Sequence, residues 1–267
     1  MTNLIALLML GFVLGIRHAT DPDHVIAVTT IVTRERTPLA ATAIGAAWGV
    51  GHTLTILIVG GGIIVFGWVI PPRLGLSMEF SVGVMLVVLG IASLRGEARR
   101  IAAAGSMQIE GERHAHPHAH GDYVHSHVHG HHPEAHPHAA ERTPLGWMDR
   151  MLGGRRSYRH VRPLVVGVVH GLAGSAAVAL LVLAAIRTPG WALAYLVVFG
   201  VGTIVGMMIM TAMIVFPFTR SGSRFVALSG GLRIASGAIS VGFGLFVAYR
   251  IGIVAGLLTG HAQWIPQ

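Results

Sequence analysis

The chain has 267 residues, of which 53% are hydrophobic and only 11% are charged. Soluble domains carry about 25% charged residues, so this composition excludes a soluble globular protein and indicates an integral membrane protein. The formal net charge is +8, but the basic residues concentrate between the apolar stretches, which argues against a nucleic-acid partner. Cysteine is absent, which excludes disulfides and thiolate metal sites.

The first apolar stretch, residues 3–33, has no basic n-region and no small-residue cleavage site. We therefore expect it to remain as the first helix rather than to be cleaved as a signal peptide. Five ionisable groups interrupt it at residues 17–24. A charge near the bilayer centre costs at least ~2.5–3.5 kcal/mol, and such groups usually mark an ion or substrate path. Pro22 lacks an N–H and deprives the carbonyl of His18 of its helical partner, which predicts a break in the helix.

Two imidazoles and two carboxylates in this interruption are candidates for a metal site, because both groups bind borderline first-row divalent metals. Their spacing includes the pattern His-x4-Asp-His, and a break at Pro22 would let separated ligands converge. An alternative is that Arg17 pairs with one carboxylate and only neutralises its charge, which leaves both histidines without a role. The candidate ligands are His18, Asp21, Asp23 and His24.

Five further apolar stretches approach or exceed the 20 or so residues that a membrane helix needs. His52 lies in the first of them, within Gly-Val-Gly-His-Thr, where small residues allow helices to approach closely. His170 lies in another and is followed by a run of small residues, which indicates either a site residue or a tight helix crossing. We predict both histidines as metal ligands. The five stretches cover residues 38–70, 77–95, 162–186, 190–217 and 226–255.

One long hydrophilic segment, residues 96–161, separates the third stretch from the fourth. It has few bulky apolar residues and is predicted to be disordered. Its eleven clustered histidines are expected to bind Ni, Co, Cu or Zn without selecting one, as an accessory that buffers or senses metal. These histidines are His114, His116, His118, His120, His125, His127, His129, His131, His132, His136 and His138.

The two halves of the chain resemble each other, with several glycines recurring at nearly the same offset. A three-helix unit has an odd number of spans, so its second copy must be inverted, as in many transporters. The sequence thus predicts an all-α integral membrane protein of six transmembrane helices in an inverted 3+3 repeat, divided into residues 1–95, the loop 96–161, and residues 162–267. The matched glycines are Gly15 with Gly167, Gly51 with Gly202, Gly83 with Gly237 and Gly90 with Gly244.

The arginines predict the orientation in the membrane, because cytoplasmic loops carry an excess of basic residues. Most arginines outside the spans fall in the three connections that share one side, including the long hydrophilic segment. We expect both termini outside and the histidine-rich loop in the cytoplasm, in the inner membrane of a bacterium.

Residues 17–25, Arg-His-Ala-Thr-Asp-Pro-Asp-His-Val, resemble the signature Arg-His-Ala-x-Asp-Ala-Asp-His-Ile of the nickel/cobalt permeases, the NiCoT family. The Gly-His-Thr at residues 51–53 is similar to that family's Gly-His-Ser motif. A cytoplasmic histidine-rich loop resembles the one in nickel/cobalt efflux members. The resemblance implies transport of Ni²⁺ or Co²⁺, with metal-handling positions at His18, Asp23, His24 and His52.

The second half departs from that family. Its motif Leu-Gly-x-Asp-Thr-Ala-Thr-Glu has no acidic counterpart at residues 170–177, which look more like the sister branch of urease accessory membrane proteins. We predict a divalent nickel/cobalt permease that is not an enzyme, has no cofactor, and acts with the bilayer and nickel-enzyme assembly proteins. The alternatives are a non-metal exporter of the sulfite or amino-acid type, and an accessory protein that hands on nickel without transporting it. A membrane metalloenzyme is disfavoured because too few histidines lie in the spans.

Overall fold

Seven helices and one β-hairpin make up the part of the chain that the computed structural model describes, which is residues 2–33, 35, 37–106, 114–120, 123–129, 161–173, 186, 188–219, 224–259, 263 and 264. The helices are α1 (Thr2–His18), α2 (Pro22–Val32), α3 (Pro38–Phe66), α4 (Pro72–Ser106), α5 (Val161–Ala173), α6 (Pro189–Thr219) and α7 (Arg224–Tyr249), the last continuing as a π-helical segment (Arg250–Val254). The antiparallel strands are β1 (His114–His120) and β2 (Tyr123–His129).

Four of these helices are long and apolar enough to cross a membrane, namely α3, α4, α6 and α7 with its π-helical extension. α1 and α2 are bent by 55° at the break between them, a geometry that fits a broken span or a re-entrant loop, and α5 is a shorter apolar helix. The prediction of a helical, multi-pass membrane protein is therefore confirmed. Most of the predicted fourth stretch beyond α5, residues 174–185, lies outside the described residues.

The break between α1 and α2 lies where the sequence predicts it. Pro22 is the first residue of α2, and the carbonyl oxygen of His18 accepts instead from the backbone N–H of Asp21 at 3.1 Å. The preceding carbonyl, that of Arg17, accepts from both the N–H and the hydroxyl of Thr20, at 2.8 and 2.6 Å. The turn thus satisfies the carbonyls that the proline leaves without helical partners, which makes a break tolerable inside a membrane.

Glycines bring the helices into backbone contact. Gly51 in α3 lies against the carbonyl oxygen of Leu164 in α5, and Gly167 in α5 lies against the carbonyl oxygen of Trp48 in α3. α1 and α3 both pack along α6, and α4 packs along α7. A buried apolar cluster that includes Val28, Trp48, Leu86 and Met207 joins α2, α3, α4 and α6. Because hydrophobicity does not drive helices together within lipid, this close packing is the main source of their association.

Replacing Gly167 with alanine is expected to lower the stability of the protein by about 1–3 kcal/mol, because the added Cβ overlaps the Trp48 carbonyl and forces α5 away from α3. The matched control is Gly242→Ala in α7, where an added Cβ meets nothing within 4 Å. Thermal unfolding in detergent compares the two variants. Equal losses in both would contradict a specific close contact at Gly167.

Part of the hydrophilic segment lies in a helix and two strands. α4 continues to Ser106, since residues 96–106 are rich in good helix formers and Arg100 Nη1 lies 3.5 Å from Glu97 Oε2 one turn away. The alternating histidine pattern has a period of two residues, which suits strands β1 and β2. The remainder of the segment, residues 107–113, 121–122 and 130–160, lies outside the described residues.

Candidate metal centre

All six histidine and aspartate residues predicted in or near the spans lie in one cluster. The end of α1 supplies His18, the break supplies Asp21, and the first turn of α2 supplies Asp23 and His24. His52 comes from the middle of α3 and His170 from α5. The break therefore turns the chain so that the site residues of α1 and α2 face those of α3 and α5.

One half of the cluster is a group of three imidazoles. The Nε2 atoms of His18 and His52 are 3.0 Å apart. The His24 ring lies 4.7 Å from the His18 ring and 4.9 Å from the His52 ring, between centroids. One ligand atom from each of these three residues lies within 4.8 Å of the others. Asp21 holds the His18 ring, because its Oδ2 is 2.8 Å from His18 Nδ1.

The other half of the cluster contains a carboxylate. Asp23 Oδ2 is 3.1 Å from His170 Nε2, and Asp23 Oδ1 is 3.2 Å from His24 Nδ1. The same Oδ1 accepts the backbone N–H of His24 at 3.0 Å. Ligand atoms of Asp23, His24 and His170 again lie within 4.8 Å of one another. Each oxygen of one carboxylate thus positions a different imidazole.

Burial differs across the cluster. His24, His52 and His170 are buried, whereas the side chains of Asp23 and Asp21 are 34% and 48% exposed. The carboxylates therefore lie at an open side and the imidazoles behind them. Among the described residues no hydrogen-bond partner faces His24 Nε2, His52 Nδ1 or His170 Nδ1. Buried polar atoms are normally paired, so buried imidazoles with an unpaired ring nitrogen are suited to binding a metal ion.

Backbone contacts hold the histidine-bearing helices together. Gly171 in α5 lies against the carbonyl oxygen of His52, and the hydroxyl of Thr55 donates to the carbonyl of Val168 at 3.0 Å. On the other side of α3, the hydroxyl of Thr53 donates to the carbonyl of Gly200 at 3.1 Å. α3 is thereby fixed between α5 and α6, which fixes the position of the imidazole of His52.

Sequence reasoning missed two aromatic side chains that border the cluster. Trp48 lies 5.6 Å from the His170 ring and Phe199 lies 5.5 Å from the His18 ring, between centroids. No sequence signal distinguishes them, because an aromatic residue in a membrane span usually packs against lipid or another helix. The alternative that Arg17 neutralises the carboxylates is wrong, since within the described residues Asp21 and Asp23 pair with histidines and Arg17 is exposed.

A second buried polar contact lies outside the cluster and was also missed. Arg233 in α7 and Glu97 in α4 form an ion pair, with Nε 2.7 Å from Oε2 and Nη2 3.4 Å from Oε1. Both residues are buried. A lone arginine within an apolar stretch is the signal that could have pointed to such a pair.

Seven of the eleven predicted loop ligands lie on the two strands. In the antiparallel register, His114 is opposite His129, His116 is opposite His127, and His118 is opposite His125. The metal-binding role of the loop stays a prediction. The predicted ligands outside the described residues are His131, His132, His136 and His138.

The helices and the cluster define a multi-pass membrane protein with a buried imidazole–carboxylate centre. The chain is 34% identical over 255 residues to the urease accessory protein UreH of Bacillus sp. (strain TB-90), covering 96% of each sequence. It therefore belongs to the UreH family. No family model matches the sequence, and no solved structure matches the chain. The relative supports, at the level of the family, the predicted likeness to the urease accessory branch of the nickel/cobalt permeases.

Proposed function

We propose that this protein is a permease that moves Ni²⁺ or Co²⁺ across a bacterial cytoplasmic membrane, in a system that supplies nickel for urease assembly. The observation that carries the proposal is the cluster of four imidazoles and Asp23 at a helix break, in which two overlapping groups of three residues each place their ligand atoms within 4.8 Å of one another. The UreH relative adds the link to urease, and the resemblance of residues 17–25 to the permease signature adds nickel and cobalt.

The distances in the cluster support a metal ion as the transported substrate. Imidazole nitrogens bind a divalent metal at about 2.0–2.1 Å, so two such nitrogens at a right angle are about 3 Å apart. His18 Nε2 and His52 Nε2 are 3.0 Å apart. Imidazole ligands suit nickel and similar metals better than they suit Mg²⁺ or Ca²⁺. An anion such as sulfite finds a carboxylate at the open side of this cluster, which disfavours a sulfite exporter.

Transport of a dehydrated divalent ion through this cluster requires compensating charge. Asp21 and Asp23 supply it at the open side, where an arriving ion first meets the protein. The imidazoles of His24, His52 and His170 then replace water ligands behind them. Because histidine ligands must be unprotonated to bind, metal binding is expected to weaken at low pH.

Six spans in two inverted halves are part of the proposal, and two reciprocal helix contacts support them. Gly15 in α1 lies against the Phe199 carbonyl in α6, while Gly167 in α5 lies against the Trp48 carbonyl in α3. Gly15 is matched with Gly167, and Trp48 matches Phe199 because each lies three residues before the matched pair Gly51 and Gly202. Exchanging the two halves therefore converts the first contact into the second. Such an exchange is what a two-fold axis between inverted repeats produces. The interface of α4 and α7 maps onto itself in the same way, with Gly83 against Gly244 and Gly90 against Gly237.

Liposomes containing the purified protein and an internal metal-sensitive dye test the proposal. We expect Ni²⁺ and Co²⁺ entry well above that of empty liposomes, a loss of at least tenfold with His52→Ala, and no change with Leu54→Ala, a lipid-facing residue on the same helix.

With the excess of arginines in the cytoplasm, the termini face outwards and the histidine-rich loop faces inwards.

An accessory protein that hands on nickel without transporting it is the second candidate, favoured by the name of the UreH relative. It predicts metal binding to the folded protein without any flux into liposomes. Flux that His52→Ala abolishes would contradict it, whereas binding without flux would replace the permease.

A further inference from the structure

We propose that the cluster comprises two overlapping metal subsites that share His24, and that the ion passes from one subsite to the other. This inference rests on the proposed function and specifies the path within it. The first subsite is the imidazole triad His18, His24 and His52, and the second is the mixed triad Asp23, His24 and His170. His24 is the member common to both.

The two nitrogens of the His24 ring have different surroundings. Nδ1 is 3.2 Å from Asp23 Oδ1, which assigns it to the mixed triad. Nε2 is buried and has no hydrogen-bond partner among the described residues, which leaves it for the imidazole triad. His18 and His52 already place their own Nε2 atoms 3.0 Å apart on that side. One ring can therefore bind an ion in either subsite while keeping the same place in α2.

The two triads also differ in charge and in the helices that build them. The imidazole triad is drawn from α1, α2 and α3 and contains no charged ligand, although Asp21 Oδ2 lies 2.8 Å from His18 Nδ1. The mixed triad joins α2 to α5 and offers a carboxylate directly to the ion. An ion that moves between the two triads therefore changes between a ligand set that connects the two halves of the chain and one that lies within the first half.

Sharing one ligand has two consequences. The two subsites use opposite nitrogens of one ring and are therefore adjacent, so the ion moves only a short distance between them, which lowers the barrier to transfer. The subsites also exclude each other, because two divalent ions on one imidazole ring would repel strongly in a medium of low dielectric constant. We therefore expect one bound ion per chain, distributed between two positions.

Equilibrium binding of Co²⁺ in detergent tests this inference, with the visible absorption of bound Co²⁺ reporting its ligands. The parent is the full chain with the eleven loop histidines replaced by asparagine, which removes competing sites. His18→Asn leaves the mixed triad intact and His170→Asn leaves the imidazole triad intact. Each is expected to bind one Co²⁺ within about tenfold of the parent's affinity, with a different absorption spectrum in each variant.

His24→Asn breaks both triads at once and is expected to weaken binding by at least about 100-fold, the upper end of the usual cost of losing a metal-site partner. Thermal unfolding of every variant checks that each is folded. The inference is overturned if His18→Asn or His170→Asn weakens binding as much as His24→Asn, if the parent binds two ions, or if it binds none. Flux in liposomes tests the permease separately. Metal flux together with a single-site binding pattern would contradict only the two subsites. The two-subsite binding pattern without flux would contradict only the permease.

Discussion

Asp23→Asn is expected to reduce Ni²⁺ and Co²⁺ flux by at least ~100-fold while leaving the protein folded. Asp23 makes contacts to two imidazoles and to a backbone N–H through its two oxygens. Asparagine has nearly the same shape, but it removes the negative charge that compensates a divalent ion as it loses its water ligands. It also replaces an acceptor with an amide donor that must face one of the two histidines.

Asp21→Asn is the matched control, because it makes the same chemical change two residues away. Asp21 is more exposed than Asp23, and within the described part of the chain its side chain pairs with His18 alone. It acts on the metal through that ring, so we expect a loss of about tenfold, the smaller end of the range for partners of ligands. Initial rates of metal entry into liposomes, measured at matched protein content, compare the two. A larger loss in Asp21→Asn than in Asp23→Asn would contradict the assignment of Asp23 as the main charge of the site.

The cluster was predictable because its signals are local or repeated. Charges inside an apolar stretch and Pro22 point to a break, and the motif around it contributes four of the six residues. His52 and His170 could be selected because glycines beside them recur in both halves. What sequence could not give is the pairing of nitrogens with oxygens, since the approach of α5 to α2 joins Asp23 to a residue 147 positions away.

The helix and strands within the hydrophilic segment have no clear signal in the sequence, for a different reason. Low hydrophobicity shows that a segment cannot bury a core, but it does not forbid a helix that extends out of the membrane on an existing one. α4 has already nucleated within the bilayer, so each further residue of 96–106 needs only propagation, which is inexpensive for alanine and arginine. The alternation of histidines with other residues was interpreted as a ligand pattern, although it is also a strand pattern.

The ion pair between Glu97 and Arg233 is the feature that sequence reasoning was least able to find. Each residue belongs to a different half of the chain, and 136 positions separate them. Neither has a local motif, and the choice of partner depends on how α4 packs along α7. Small residues allow that packing, because Gly90 and Gly237 face each other across the interface.

Breaking this pair is expected to be strongly destabilising. Glu97→Gln leaves the guanidinium of Arg233 buried without its counter-charge, and removing one member of a buried pair costs about 3–5 kcal/mol. In a chain of this size 1 kcal/mol corresponds to about 2–4 °C, so the apparent melting temperature should fall by roughly 6–20 °C. Thermal unfolding in detergent at a fixed scan rate measures the difference.

The control is the double variant Glu97→Leu with Arg233→Met, which removes both charges of the ion pair. Replacing both members of a buried ion pair with apolar residues of similar size is often neutral or stabilising, because the desolvation penalty disappears along with the attraction. We therefore expect the double variant to recover most of the stability that Glu97→Gln loses. If it melts as low as the single variant, then side-chain shape rather than charge pairing holds α4 to α7. Since neither residue contacts the histidine cluster, metal flux in the double variant should stay within about twofold of the parent, which separates the stability of the helix pair from the chemistry of the site.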